Sequence, residues 1–201
     1  MNFRLAGITA TLVLAVLLNG CAPIDSIFPL YKSDDAVFDD RLLGSWQRVS
    51  TNSDDKDQRW IFTKSGQERF YDFKWGAVGM KGAFAAEARL VQLGDNLFID
   101  FEGDDGAVAT ADQTDSIVPF PIISTHMLGR VWLDKDTLQI HFLSDDWVKE
   151  QVKAGALSLA HLDTNRGQIL TAQTEDLRKF MQAHADDDKA LSEEFKFTRV
   201  R

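Results

Sequence analysis

Apolar and polar residues alternate with a period of two along much of the chain between Arg59 and Leu143. The runs Arg59 to Thr63 and Gln67 to Trp75 are rich in aromatic and β-branched residues, and Lys64-Ser65-Gly66 between them carries turn chemistry. Ala83 to Leu93 reads as a longer strand that turns at Gly94-Asp95-Asn96 and returns through Leu97 to Phe101. Turn residues at this spacing predict an antiparallel meander. The clearest hairpin joins Thr125–Leu133 to Thr137–Leu143. With Lys135-Asp136 as its loop, Leu133 stands opposite Leu138, Val131 opposite Ile140 and Gly129 opposite Phe142. That face is apolar and belongs in a core. The other face sets Trp132 against Gln139, Arg130 against His141 and Leu128 against Leu143. An arginine, a histidine and a tryptophan meet there, either lining a polar lumen that takes an acidic head group or simply facing solvent.

The period lengthens to helical values in two later segments. Ser144 is placed to cap one helix, with Asp145 and Asp146 in its first turn and Gly155 past its end. Thr174 is placed to cap another, in which Leu177, Phe180, Met181 and His184 form one stripe. Between them, Leu157–Leu162 and Gln168–Thr171 read as short strands, and Phe195–Arg201 reads as a closing strand. Ahead of a first strand through Trp46 and Val49, Ser33-Asp34-Asp35 reads as a helix start that ends at Gly44. About 8–10 strands in meander order, with two or three short helices, predict a mainly β fold. Its form is an antiparallel up-and-down barrel, which closure frees of exposed edges.

The first residues follow another rule. Arg4 precedes an apolar run from Leu5 to Leu18, shorter than the ~20 residues a membrane-spanning helix needs and matched to an export signal. The ending Leu18-Asn19-Gly20-Cys21 resembles the lipobox of bacterial lipoproteins. That resemblance implies cleavage between Gly20 and Cys21 and acylation (palmitate among the chains) of Cys21, the single cysteine. Two or more acyl chains give stable anchoring. Ala22 follows the cysteine where an inner-membrane lipoprotein tends to carry Asp, which resembles the outer-membrane type, facing the periplasm. The expected division is residues 1–20 as signal peptide, 21–36 as lipidated N-terminus and tether, and 37–201 as barrel domain. Within the tether, Ile27 to Tyr31 is apolar enough to dock on the domain.

Composition sharpens this. Removing the leader leaves 21 basic against 31 acidic residues, a net −10. Such a surface disfavours nucleic acid and anionic head groups, so an acyl anchor must hold the protein to a bilayer. Fourteen Phe and five Trp in the full chain are generous for its length, and aromatics favour strands.

A second resemblance concerns the fold. Gly44-Ser45-Trp46, opening the first strand, is similar to the Gly-x-Trp signature of lipocalins. The resemblance implies that Trp46 plugs the closed end of the barrel and that a late arginine stacks on it. Arg199, on the strand face of Phe195 and Phe197, is the candidate. The family's Thr-Asp pair has at most a displaced counterpart in Thr114-Asp115 before Phe120.

No catalytic signature is legible: there is no nucleophile elbow, phosphate loop or dinucleotide fingerprint, and His126, His141, His161 and His184 show no metal-ligand spacing. The acidic loop Glu102–Asp115 lacks the oxygen spacing of a calcium loop. No cofactor or metal is expected. The resulting expectation is an outer-membrane-anchored, lipocalin-like binding module for a small apolar or amphipathic ligand, with Arg130, Trp132 and His141 as candidate contacts. The alternatives are an envelope assembly protein with a filled barrel, or a hydrolase whose site would be assembled from distant residues.

Overall fold

A computed structural model describes residues 23–32, 35–50, 57–77, 84–103, 123–165 and 167–201. In chain order these form β1 (Asp25–Ser26), β2 (Ala36–Val37), a single 3-10 turn (Asp40–Leu42), β3 (Gly44–Arg48), β4 (Gln58–Lys64), β5 (Tyr71–Ala77), β6 (Phe84–Leu93) and β7 (Asn96–Gly103). They continue as β8 (His126–Leu133), β9 (Thr137–Phe142), α1 (Asp145–Lys153), β10 (His161–Thr164), β11 (Gly167–Leu170), α2 (Thr174–Ala183) and β12 (Glu193–Arg199).

Strands β3 to β9 pair each with the next, and β12 returns antiparallel between β9 and β3. The result is the expected closed antiparallel barrel, of eight strands. Two short strands fill edges that the ring leaves unpaired. Where β9 ends at Gly129, β1 continues along β8 at Met127 and His126. Where the β5–β6 ladder stops at Ala88, opposite Tyr71 at the start of β5, β2 continues along β6 at Leu90 and Val91. On its far side β1 carries β11 in parallel, with β10 outermost.

Alternation along the strands makes two cores. The inner one fills the lumen by setting large residues against small: Tyr71 and Phe101 flank Ala88, Phe73 faces Ala86, and Phe142 faces Gly129. A Cβ on Gly129 would come within 2.9 Å of the Ile140 side chain and 3.1 Å of Phe142, so that side-chain-free position is what lets the ring seat. The outer core lies against the opposite face of β6 to β8, where Val91, Leu93, Phe98 and Leu128 pack with Val148 of α1 and Leu177, Phe180 and Met181 of α2.

The 126–142 hairpin has the predicted register, pair for pair, and Asp134 N–H donates to Thr137 O across the Lys135-Asp136 loop. Ser144 caps α1 by accepting from Trp147 N–H, and Gly155 follows with φ 63°. Other local expectations need correction. The helix expected from Ser33 is absent among the described residues: the bridge β2 and the single 3-10 turn stand there, the latter capped by Asp39. Strand β5 starts at Tyr71 rather than Gln67, because residues 65–70 make a wider turn with Arg69 at φ 66°. Thr174 is the first residue of α2 and not its cap. Gln173 holds that place, while Thr174 Oγ1 donates to Pro29 O at 2.8 Å.

The segment expected as a tether is laid onto the barrel from Pro23 onward. Ile24 and Leu30 are buried, and Leu30 N–H donates to the buried Asp100 carboxylate. Phe28 and Tyr31 pack partly under the same cover, so Ile27–Tyr31 is a docked strap and not a free patch. Gly20, Cys21, and the acidic loop from residue 104 with Thr114, Asp115 and Phe120 lie outside the described residues.

Candidate functional site

The two ends of the barrel are built differently. At one end, where β3 starts and β12 finishes, Trp46 is fully buried and its indole Nε1–H donates to Leu42 O at 2.9 Å. Arg199, its cross-strand partner, lays its guanidinium 4.2 Å from the Trp46 ring centroid. The same group donates to Leu43 O and Lys135 O at 2.7 Å each, and to Arg41 O. A planar fork with several donors suits this task, gathering three carbonyls from two loops over one ring. Gly44 sits beside it at φ 116°, and a Cβ there would meet Arg199 Nη1 at 3.0 Å. Tyr71 completes the closure. Its hydroxyl accepts from Asp39 N–H at 2.6 Å and donates to Asp39 O at 3.2 Å, and burial pushes its pKa up to about 12.

The other end is open among the described residues. Trp60 forms a floor with Phe73, Phe101 and Phe142, at ring-centroid distances of 5.0, 5.6 and 6.4 Å. Above it, Trp75 and Phe84 face each other across β5 and β6 in an edge-on pair, and Met127, Phe195 and Pro23 complete the wall. They enclose an apolar cup of about 270 Å³ with no charged side chain among its described lining residues. This is near the lower bound of ligand sites, at about 300 Å³, and it is apolar as such sites usually are. Two larger hollows, of about 410 and 430 Å³, lie on the outer wall and mix charged with apolar groups, among them Asp72, Lys74, Glu87, Asp134 and Lys196. The cup differs from both in having a wholly apolar lining among the described residues.

Arg130, Trp132 and His141 come together as the sequence suggests, on the outer face of the wall. Arg130 donates to Asn96 Oδ1 at 2.7 Å and to Ala185 O and Asp186, clamping the chain after α2, and it stacks 4.4 Å from the Trp132 ring. His141 Nε2 lies 3.1 Å from Glu194 Oε1, under the Trp132 ring. The Glu194 carboxyl is held below its usual range chiefly by Lys196. Trp132 is exposed, and none of the three borders the cup. His184, on the α2 stripe, ends that helix packed on Phe180 and Trp147.

A polar cluster that no sequence pattern announces lies beneath the strap. Asp100 and His126 are buried side by side on the outer face, Oδ1 to Nδ1 at 2.7 Å, with Asp100 Oδ2 taking the Leu30 amide. Arg89 is buried next to them, bonded to Glu87 and Glu102 and sandwiched between the rings of Tyr31 and Phe70, both at 3.9 Å. Burial lifts the Tyr31 hydroxyl to about 12. Two of these groups bond the strap, Asp100 accepting from Leu30 N–H and Glu102 from the Tyr31 hydroxyl, while the others bond one another and Arg89 Nε has no hydrogen-bond partner among the described residues. Among the described residues, no three His, Cys, Asp or Glu gather as metal ligands, and no helix is long and apolar enough to cross a membrane. Compared with protein-family models, with curated proteins and with solved structures, the chain matches none.

Sequence reasoning missed the cup. The alternating aromatics Phe73/Trp75 and Phe195/Phe197 signal an aromatic lumen, but the pattern does not say which end stays open.

Proposed function

We propose that the protein is a lipoprotein anchored through acylated Cys21 to the outer membrane on its periplasmic side, and that its lipocalin-like barrel takes a small apolar or amphipathic molecule into the open end. The observation that carries this reading is the apolar cup over Trp60, ringed by Trp75 and Phe84. At about 30 Å³ for a water-sized group, the cup of about 270 Å³ has room for a short acyl segment or a compact ring, not for a whole lipid. The polar part of an amphiphile then stays outside, where the rim is exposed. Trp46 under Arg199 supports the lipocalin-like element, since it puts an indole plug and a late-strand arginine at one end of an eight-stranded barrel.

Native mass spectrometry of the mature chain carrying Cys21→Ser, incubated with medium-chain fatty acids, tests the cup. A one-to-one adduct that Trp75→Ala weakens is the expected result. Absence of any adduct, with the fold intact by near-ultraviolet circular dichroism, would remove the binding role.

A second reading is favoured by the filled lumen below Trp60, where Phe62, Tyr71, Phe101 and Phe197 are fully buried. In it the barrel is a rigid body for envelope assembly. It requires specific cross-links to another envelope protein and no fatty-acid adduct.

A further inference from the structure

The chain enters the described fold at the mouth of the barrel. Pro23 bridges Ser144 and borders the cup, and Ile24 N–H donates to Leu143 O at 3.1 Å. Cys21 lies two residues before Pro23, and two residues span at most ~7 Å. An acyl group on Cys21 therefore starts from the end of the barrel where the lumen opens, whatever path those two residues take.

The same end carries apolar side chains that are exposed among the described residues. Trp75 and Phe84 on the rim are each 41% exposed, and Ile123, just ahead of β8, is 69% exposed. Tryptophan with its ring half out of an apolar site is a side chain that partitions to the membrane–water interface. The closed end differs, because Leu42 and Trp46 there are fully buried and its loops are bound to Arg199. The acidic mature chain has no net attraction for anionic head groups, so apolar contact is left as the means of orienting it.

We infer that the open end is a membrane-docking surface. The anchor holds the mouth against a phospholipid bilayer with Trp75, Phe84 and Ile123 at head-group level, and an amphiphile passes between bilayer and cup without crossing water. This rests on the reading of Cys21 as acylated.

The test uses processed full-length protein, extracted from membranes and placed in phosphatidylcholine nanodiscs whose acyl chains are brominated close to the head group. Bromine quenches an indole it touches. Quenching is expected, with most of it lost in Trp75→Phe and none lost in Trp132→Phe, which alters an exposed tryptophan on the outer wall toward the closed end. Ile123→Ser, outside the cup lining, is expected to lower it partially. If Cys21 is acylated by peptide mass and quenching is absent or tracks Trp132, the docking is overturned and the anchor stands. An unmodified Cys21 overturns both.

Discussion

The closed and open ends of this barrel use the same residue types to opposite effect. At the closed end, Trp46 and Tyr71 are buried and every polar atom they bring has a backbone partner, supplied by Leu42 and Asp39. At the open end, Trp75 and Phe84 point along the lumen with no chain above them among the described residues, and they remain partly in water. An aromatic ring stabilises the fold where the chain supplies its cover and keeps exposed apolar surface where it does not. The difference therefore lies in the neighbours and not in the side chain.

The comparison can be broken most decisively at Trp46. Trp46→Ala should cost ~3–5 kcal/mol, since it empties a fully buried volume and strands the Arg199 guanidinium over a hole. Urea unfolding measures it, and a loss below ~1 kcal/mol would show that the closed end does not dominate stability. Tyr71→Phe keeps the ring and its stack on Phe38 but removes the hydroxyl that satisfies Asp39 N–H. A cost of ~1–2 kcal/mol is expected for a buried donor left unpaired. At the open end, Trp75→Ala should cost only ~1–2 kcal/mol, well below Trp46→Ala, because the ring is already partly hydrated, while fatty-acid uptake falls sharply. Equal losses of stability at Trp75 and Trp46 would erase the distinction.

The smallest effect concerns pH. Asp25, in β1 close to the mouth, has its carboxyl raised above 3.8 by burial and by the nearby Asp145 charge, against a hydrogen bond with Thr125. The folded state therefore keeps this proton to higher pH than the unfolded chain does, and the stability so contributed is present below 3.8 and lost as pH rises through the folded value. Asp25→Asn should flatten that decline, matching the parent in acid and melting higher at neutral pH. Melting temperatures across this range decide it, and a variant that melts lower at neutral pH would reverse the sign.

The sequence by itself determined what depends on near neighbours and on period. The register of the 126–142 hairpin follows from a two-residue loop and one apolar face. The Ser144 cap follows from a serine ahead of two aspartates, and the barrel class follows from repeated alternation between turns. Thr174 shows where local signals stop, because its hydroxyl is drawn to Pro29, 145 positions earlier in the chain. Only tertiary structure decided which face of each strand is covered and by what. A period of two sorts Asp100, Arg89 and His126 to the outside of the wall. It says nothing of the Leu30–Tyr31 strap that buries them, since Leu30 and Asp100 are 70 positions apart. The cup is of the same kind: Trp75 and Phe73 share one strand face, yet one is exposed and the other buried, because only closure of the ring sets the depth of each residue in the lumen.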